Sequence, residues 1–401
     1  MKKEKVVLAY SGGLDTSFCV KYLCIEKNLE VHTILVNTGG FTDAELNSIG
    51  KRSKHMGAGS HKTINVIDEY YDKCIRYLVY GNILKNHTYP LSVSAERVFQ
   101  AMAIAKAALE MGADFIAHGS TGAGNDQIRF DMVFTIITPD IPVLTPIRDH
   151  KFSREQEITY LEKNGVKMDW GKAAYSINQG LWGTSIGGKE TLTSDKTLPE
   201  EAYPSQVIKN DETEIRLHFE QGQIKGINDK KYKNPVNAIQ TLNKIGSAYG
   251  IGRGVHVGDT IIGIKGRVGF EAAAPMLILK SHETLEKYVL TKWQIYWKEQ
   301  LANWYGMLLH EGHYLEPVMR NIESFLEDTQ ETVNGSVIVK LAPYRFEIIG
   351  IESKNDLMNS KFGRYGEMPS NWTSNDARGF AKIMANQISI FRQVNKRKNK
   401  S

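Results

Sequence analysis

A glycine-rich turn placed directly after a short apolar run constrains this chain more than any other feature. The run is Val6-Val7-Leu8, and the turn after it reads Ala9-Tyr10-Ser11-Gly12-Gly13-Leu14-Asp15-Thr16-Ser17. Two adjacent glycines let the backbone turn tightly and approach a ligand, so that consecutive N–H groups converge on an anion at the start of a helix. Ser11, Thr16 and Ser17 add hydroxyl donors. The sequence therefore predicts a strand, a phosphate-binding turn and a helix.

The turn is not a Walker A motif, because the pattern G-x-x-x-x-G-K-[ST] is not met. It resembles the pyrophosphate loop of the ATP pyrophosphatases, which cleave ATP between the α and β phosphates. This resemblance implies that the loop holds the leaving pyrophosphate. A turn that merely joins strand to helix is the alternative, and the serines and the aspartate at fixed places argue against it.

Length and composition indicate an ordinary soluble protein of two or three domains. The 401 residues are 41% hydrophobic and 24% charged, and they contain no apolar run long enough to span a membrane. The N-terminus shows no targeting segment, and three cysteines suit a reducing compartment. A net charge of +5 is small for this length. We therefore expect a cytoplasmic protein with neither membrane nor nucleic-acid partners.

The first 150 residues alternate short apolar runs with helical patterns, which is typical of a parallel sheet covered by helices. We predict strands at 5–10, 31–37 and 114–118, and helices at 16–27, 94–111 and 153–164. Gly112 is the expected residue after the second of these helices. Ligands bind beyond the carboxyl ends of such strands, so the loops at 11–17, 37–40 and 119–126 should meet in one crevice.

The remainder predicts a second, α+β domain and a terminal helix. Residues 170–206 are rich in Gly, Ser and Thr and are expected to form a long functional loop, whose part 170–190 closes over the reactive intermediate. Hairpins are predicted at 214–228 and 336–351, helices at 236–249 and 282–310, and an amphipathic helix at 374–394. The predicted domains are 1–168, 169–365 and 366–401, the last an oligomerisation helix.

A second polar motif lies about one hundred residues after the first. It reads Gly119-Ser120-Thr121-Gly122-Ala123-Gly124-Asn125-Asp126-Gln127-Ile128-Arg129-Phe130. Asp126 can accept from an ammonium, Thr121 can bind a carboxylate, and Asn125 and Arg129 can orient a ureido or carbonyl group. These groups suit a small substrate that carries both an amine and a carboxylate.

Together the two motifs resemble the argininosuccinate synthase family, which carries them in this order and spacing. The resemblance extends to Tyr89-Pro90-Leu91-Ser92-Val93-Ser94, to Tyr175-Ser176, to Leu181-Trp182-Gly183-Thr184-Ser185 and to Gly250-Ile251-Gly252-Arg253. It implies an α/β fold, with an N-terminal parallel-sheet nucleotide-binding domain like the adenine nucleotide α-hydrolases, an α+β synthetase domain and a C-terminal oligomerisation helix. It also implies a homotetramer.

The resemblance further implies the reaction and its residues. The ureido oxygen of citrulline attacks the α-phosphorus of ATP, supplied as Mg-ATP, and the amine of L-aspartate then displaces AMP. ATP would contact Ala9, Tyr10, Ser11, Gly12, Gly13, Leu14, Asp15, Thr16, Ser17, Val36 and Gly119. Aspartate would contact Thr121, Asn125 and Asp126. Citrulline would contact Tyr89, Ser94, Asn125, Arg129, Ser176 and Ser185.

The departures from the family pattern gather at the amino-acid end of citrulline. Where many members read D-E-N-L-W-G-R-S-I-E-G-G, this chain reads Asn178-Gln179-Gly180-Leu181-Trp182-Gly183-Thr184-Ser185-Ile186-Gly187-Gly188. Gly258 and Phe270 stand where members carry a glutamate and a tyrosine, and Ala123 replaces a lysine. A free α-ammonium needs acceptors. The losses favour an Nα-acylated citrulline, such as the acetyl or succinyl form.

In that interpretation Gly258 leaves room for the acyl group, and His256, Lys265 or Arg267 receives a carboxylate if the group is succinyl. The alternative is that Asp126 or backbone carbonyls near Ser176 replace the lost acids and that free citrulline is used.

Two other function classes are weaker. A pyrophosphate-loop enzyme acting on tRNA would need catalytic cysteines or a strongly basic face, and a non-enzymatic binding module would not cleave ATP. The sequence His310-Glu311-Gly312-His313 lacks the spacing of a zinc-binding helix, so we predict no metal site.

Overall fold

The fold divides into a large and a small compact unit. The computed structural model describes residues 3–168, 175–368 and 370–395. Described residues up to Lys354 form the large unit, and those from Asn355 form the small one. None of the helices in these described ranges combines the length and apolar character needed to cross a membrane.

The first part of the large unit contains a five-stranded parallel sheet. Its strands are β1 (Lys5–Ala9), β2 (Glu30–Asn37), β3 (Ser60–Asn65), β4 (Phe115–Ala117) and β5 (Val143–Leu144). Its helices are α1 (Leu14–Ile25), α2 (Asp43–Met56), α3 (Ile67–Tyr70), α4 (Arg76–Tyr80), α5 (Ser94–Met111), α6 (Asp126–Ile137), α7 (Pro146–His150) and α8 (Arg154–Lys163), with a π-helical turn at Tyr71–Ile75.

The strand order β3-β2-β1-β4-β5 places β1 at the centre, between β2 and β4. The side chains of Val6, Val7 and Leu8 are completely buried, because helices cover both faces of the sheet. The chain places β2 and β3 on one side of β1, and β4 and β5 on the other. Because the strand order reverses at this point, a crevice opens beyond the carboxyl ends of β1 and β4. The glycine-rich turn follows β1 and the second polar motif follows β4, as the sequence predicts.

The rest of the large unit contains two antiparallel sheets, ordered β10-β9-β8-β13-β14 and β11-β12-β7-β6. The strands are β6 (Tyr175–Gly180), β7 (Gly183–Gly188), β8 (Thr213–Glu220), β9 (Gln223–Ile227), β10 (Lys230–Lys231), β11 (Arg253–Asp259), β12 (Lys265–Glu271), β13 (Gly335–Ala342) and β14 (Arg345–Glu352). The helices are α9 (Pro235–Ser247), α10 (Ala273–Val289), α11 (Lys292–His310) and α12 (Pro317–Asp328). The small unit contains α13 (Ser374–Met384) and α14 (Asn386–Val394).

Most elements agree with the sequence predictions within a few residues. Both predicted hairpins form, and α5 ends at Gly112, which takes a left-handed conformation with φ of 57°. The prediction of one helix over 282–310 is wrong. The side chain of Thr291 caps the start of α11 and accepts from the Gln294 N–H, so the chain forms two helices.

The prediction of a long loop over 170–206 is also wrong for the described part, 175–206. Strands β6 and β7 pair there as an antiparallel hairpin. Their small residues hide the usual alternation of apolar and polar side chains, because one face of the hairpin lines a cavity rather than a core. The remaining residues of that prediction, up to 174, lie outside the described ranges.

A buried ion pair joins α10 to α11. Lys298 on α11 is 2% exposed, lies 2.6 Å from Glu286 on α10 and donates to the carbonyl of Tyr80. The Glu286 carboxylate also accepts from Asn82 and Gln330. Each charge therefore depends on the other for compensation.

Lys298→Met should destabilise the protein by about 3–5 kcal/mol, because it leaves the Glu286 carboxylate buried without its counter-charge. The measurement is the free energy of unfolding in urea. The double variant Lys298→Met with Glu286→Gln should recover most of the loss. Lys287→Met is the matched control: this exposed lysine pairs with Glu283 at 2.7 Å and should change stability by only about 0–1 kcal/mol. Equal effects of the two single variants would contradict this account.

Candidate active site

The glycine-rich turn presents backbone donors to the crevice. Gly12 has φ of 80°, a conformation that favours glycine, and Gly13 precedes α1 without a side-chain cap on the helix. The residue before α1 thus offers no side chain to its first N–H groups, and a helix start of this kind suits an anion. Ser11 Oγ lies 3.3 Å from Thr16 Oγ1, which keeps two hydroxyl groups beside the same loop.

A large cavity of about 800 Å³ opens over this turn. It is lined by most of the residues predicted to bind ATP, namely Ala9, Tyr10, Ser11, Gly13, Leu14, Asp15, Thr16, Val36 and Gly119, and also by Thr121, Asp126 and Ser176. Two predicted ATP residues are not on its wall. Ser17 is buried and its hydroxyl lies 3.2 Å from that of Tyr10, and the Gly12 carbonyl accepts from Arg52.

Beneath the turn, Asp15 shares a proton with Glu157. Asp15 lies in the first turn of α1, and Glu157 lies on α8, which packs against α1. Burial and the neighbouring Asp15 carboxylate, to which Glu157 is hydrogen-bonded, raise the pKa of Glu157 to about 8. At neutral pH the Glu157 carboxyl is therefore protonated and donates to Asp15, and the pair carries one negative charge.

Beside the large cavity, two arginines hold Asp126. Arg97 Nε and Arg129 Nη1 each lie 2.9 Å from its carboxylate. Arg97 Nη1 also donates to Glu96 at 3.0 Å, and Thr38 donates to the other Glu96 oxygen at 2.8 Å. Burial, opposed by Arg97, raises the pKa of Glu96 to about 7. Asp126 therefore faces the crevice already paired with two cations.

A small cavity of about 260 Å³ lies against the sheet β11-β12-β7-β6. The strand register places one set of residues, most of them small or polar, on a common face: Ser176, Asn178 and Gly180 of β6, Gly183, Ser185 and Gly187 of β7, Gly266, Val268 and Phe270 of β12, and Gly254, His256 and Gly258 of β11. The large and small cavities share Gly124, Asp126 and Asn178. Ligands in the two cavities would therefore be neighbours.

Most residues predicted to contact citrulline line the small cavity, together with both altered positions on β11. These are Tyr89, Ser94, Asn125, Arg129, Ser185, His256 and Gly258. Ser176 lines the large cavity instead, and Phe270 lies behind Tyr89, with their ring centres 5.7 Å apart. The side-chain amide oxygen of Asn125 accepts from the Ile261 N–H at 2.9 Å, so this side chain is fixed by the turn after β11.

The space beside Gly258 is occupied by His256. A Cβ atom on Gly258 would lie 2.5 Å from His256 Nε2. The His256 ring stacks on Tyr89 with ring centres 5.3 Å apart. The imidazole of His256 therefore occupies the space that a side chain at position 258 would need. An extra group on a substrate would bind against this ring.

Lys265 and Arg267 direct their charged groups to other partners, although Arg267 belongs to the lining of the small cavity. Lys265 lies 2.6 Å from Asp259, and the Arg267 guanidinium donates to the carbonyls of Glu190 and Lys196. Of the three residues expected to receive a carboxylate, His256 and Arg267 line the cavity, and the strand register places only His256 on the same face of the sheet as Ser185.

Sequence reasoning missed Glu96, Arg97, Glu157 and His310 as members of this site. Glu96 and Arg97 are adjacent charged residues in the first turn of an otherwise alanine-rich helix, which is a signal that could have been used. His310 ends α11 and lines the small cavity. Glu157 lies in a polar stretch, Arg154 to Glu157, and the sequence gives no sign of its burial. Among the described residues, no group of three His, Cys, Asp or Glu side chains could hold a metal ion.

Comparison with known proteins gives concordant matches along the chain. The family model for the argininosuccinate synthase N-terminal HUP domain matches residues 5–167, and that for the C-terminal domain matches residues 175–391. The chain is 36% identical to the argininosuccinate synthase of Dictyoglomus turgidum over 98% of both chains. It is 34% identical to that of Xanthomonas campestris, over 99% of this chain and all of the relative, and 33% identical to that of Methanocaldococcus jannaschii, over 98% and 99%.

The stability of the Glu157→Gln variant, relative to that of the wild type, should increase as the pH rises. The folded state holds the Glu157 proton up to a pKa of about 8, whereas the ordinary value is 4.5. Its stabilising contribution is therefore complete below pH 4.5 and is lost as the pH rises through 8. We expect the thermal midpoint of the variant, minus that of the wild type, to increase from about pH 5 to about pH 9.

Glu162→Gln, an exposed change on the same helix, is the control and should give a difference that does not vary with pH. A flat profile for Glu157→Gln as well would show that the pair does not share a proton.

Proposed function

Because this chain belongs to the argininosuccinate synthase family, it is an ATP-dependent ligase of arginine biosynthesis, and we propose that its citrulline substrate carries an acyl group on the α-nitrogen. The observation that carries the proposal is the pairing of every carboxylate at the small cavity. The tRNA-modifying alternative is not favoured by this family membership.

Two carboxylates occur among the described residues that line the small cavity, Asp126 and Asp259. Asp126 is paired with Arg97 and Arg129, and Asp259 is paired with Lys265 on the far face of the sheet. A free α-ammonium would have to be desolvated without a carboxylate of its own, which is costly. An amide nitrogen carries no charge and avoids this cost.

We propose that the three reactants divide between the two cavities. ATP lies over the glycine-rich turn and Val36 and Gly119, while citrulline lies in the small cavity between Tyr89, Ser94, Arg129 and Ser185. Aspartate lies between them, on Thr121, Asn125 and Asp126. The ureido oxygen then meets the α-phosphorus near the shared residues Gly124 and Asn178.

The chemistry proceeds through a citrulline whose ureido oxygen is adenylated, which activates the ureido carbon. The ureido oxygen bonds to the α-phosphorus as pyrophosphate leaves, and the aspartate nitrogen then bonds to the carbon as AMP leaves. No covalent bond to the protein is needed. Holding the reactants in line contributes up to about 7–11 kcal/mol of the barrier in favourable cases, and the loop N–H groups stabilise the departing phosphate charge.

We propose that Mg²⁺ enters as the Mg-ATP complex. Mg²⁺ is held mainly by phosphate oxygens and water, with one or two carboxylates from the protein. Asp15 lies on the wall of the large cavity at the phosphate-binding turn and is a carboxylate of this kind. The ion would neutralise phosphate charge during the displacement.

We also propose a cytoplasmic homotetramer built from the domains 1–168, 169–365 and 366–401. The small unit supports this, because Phe380, Ile383, Met384, Ile388 and Phe391 of α13 and α14 are all exposed apolar side chains. The three cysteines are free, as expected in a reducing compartment. The mass measured by light scattering tests the assembly.

Aspartate-dependent formation of AMP and pyrophosphate should be faster with acylated citrulline. The assay uses purified protein, Mg-ATP and, in parallel, citrulline, N-acetylcitrulline and N-succinylcitrulline. We expect kcat/KM for one acylated form to exceed that for free citrulline at least about tenfold, which corresponds to about 1.4 kcal/mol. Preference for free citrulline would refute the acyl proposal, and inactivity with all three substrates would favour the tRNA-modifying alternative.

Adding a carboxylate at the altered position should shift the preference toward free citrulline. Gly258→Glu alone would collide with His256, so it is combined with His256→Ser. We expect the ratio of kcat/KM for acylated over free substrate to fall in this double variant, relative to His256→Ser alone. An unchanged ratio would mean that the lost glutamate does not explain the choice of substrate.

A further inference from the structure

Three residues that line the small cavity each have a buried polar atom without a hydrogen-bond partner among the described residues. The atoms are Ser94 Oγ, His256 Nδ1 and His310 Nε2, and their residues are 4%, 5% and 7% exposed. Buried polar groups are nearly always hydrogen-bonded, so three exceptions around one cavity indicate that a ligand completes them. Ser94 is already among the proposed citrulline contacts. The two imidazoles have no role in the reaction described above.

The position of the proton on His310 follows from its contact with Arg129. Arg129 Nη2 lies 3.4 Å from His310 Nδ1, and a guanidinium can only donate. Nδ1 is therefore the acceptor, and the single proton of the neutral ring is on Nε2. Burial, together with the positive charges of Arg129 and Lys85, lowers the pKa of His310 to about 2, so the ring is neutral at physiological pH. Its free Nε2 atom is thus an N–H donor.

The surroundings of this donor favour an oxygen acceptor over an ammonium. The ionisable groups that act on the His310 ring are Arg129, Lys85, His256 and Asp126, and the Asp126 carboxylate is held by Arg97 and Arg129. The Lys85 ammonium makes no hydrogen bond or ion pair within the described ranges, although the carboxylates of Glu311 and Asp259 act on it electrostatically, and it also acts on His256. This end of the cavity is therefore rich in donors and positive charge.

We propose that His310 Nε2–H donates a hydrogen bond to the acyl carbonyl oxygen of an Nα-acylated citrulline and thereby selects this substrate over free citrulline. The inference rests on the proposed function. Free citrulline has no carbonyl at this position, so the donor would stay unpaired when free citrulline binds. Selectivity arises from that difference, in the way that a site built to hydrogen-bond one group rejects an analogue without it.

The same residue positions Arg129 through its backbone. The His310 carbonyl accepts from Arg129 Nε at 2.9 Å and from Nη2 at 2.7 Å. A change of the His310 side chain leaves this carbonyl in place. Side-chain variants do change the Nδ1 atom that lies 3.4 Å from Arg129 Nη2, so kcat/KM for free citrulline, which contacts Arg129 in our proposal, reports any disturbance of that arginine.

The test compares His310→Phe, which keeps a ring but removes the donor, with His310→Gln, whose amide keeps an N–H donor. Steady-state kcat/KM is measured for citrulline, N-acetylcitrulline and N-succinylcitrulline, with the KM values for ATP and aspartate as controls. We expect His310→Phe to lower kcat/KM for the preferred acylated substrate by about tenfold to a hundredfold, and that for free citrulline by less than about threefold. His310→Gln should retain most of the selectivity.

A change in the substrate gives the same information without relying on a variant. N-thioacetylcitrulline replaces the acyl oxygen by sulfur, a weaker acceptor, and should be a poorer substrate than N-acetylcitrulline for the wild type. The gap between the two should close in His310→Phe. This comparison remains informative if a substitution lowers stability.

The outcomes separate this inference from the proposed function. If the wild type prefers free citrulline, the proposed function fails and this inference fails with it. If the wild type prefers an acylated form but His310→Phe leaves the ratio of acylated to free substrate unchanged, only the role of His310 is overturned. A parallel loss with all substrates would also overturn it, since that result indicates a general structural effect.

Discussion

The buried guanidinium of Arg129 is the interaction on which the arrangement of the site depends. Its side chain is 4% exposed, so its charge must be compensated inside the protein. Asp126 on the same helix supplies the counter-charge, and the carbonyl of His310 accepts two further hydrogen bonds. This side chain therefore joins α6, which begins within the second polar motif, to the end of α11. It thereby holds together two elements that line the small cavity.

The antiparallel sheet β11-β12-β7-β6 determines the shape of the small cavity more than its charge. Its cavity face is made of glycine and serine side chains at most positions of β6 and β7, and the larger His256 is accommodated because Gly258 has no Cβ atom. Small residues allow the backbone to come close to a substrate. Selectivity is then left to a few directed groups at the cavity wall, such as Tyr89, Ser94 and His310. A face of this kind can change its substrate through few substitutions.

The sequence predicted those features in which local chemistry and structure agree. Three such features depend on residues that are neighbours in the chain, so their patterns can be recognised in the sequence. They are the turn after β1, the helix α5 with Gly112, and the hairpin of β8 and β9. The hairpin of β6 and β7 was missed because its face was selected for contact with a cavity and not for burial in a core. Glu157 and His310 were missed because their burial and partners come from helices distant in the chain.

Charge balance connects the departures of the sequence to the chemistry of the site. Around the small cavity the acids are paired with arginine or lysine, while Lys85 makes no hydrogen bond or ion pair within the described ranges and His256 and His310 present uncharged rings. A zwitterion with no net charge, such as free citrulline, would bring a carboxylate that this region favours and an ammonium that it opposes. An Nα-acylated citrulline brings the carboxylate alone and is an anion. The paired acids and the uncharged imidazoles of the cavity therefore fit the acylated substrate that we propose, because that substrate brings a negative charge and no ammonium.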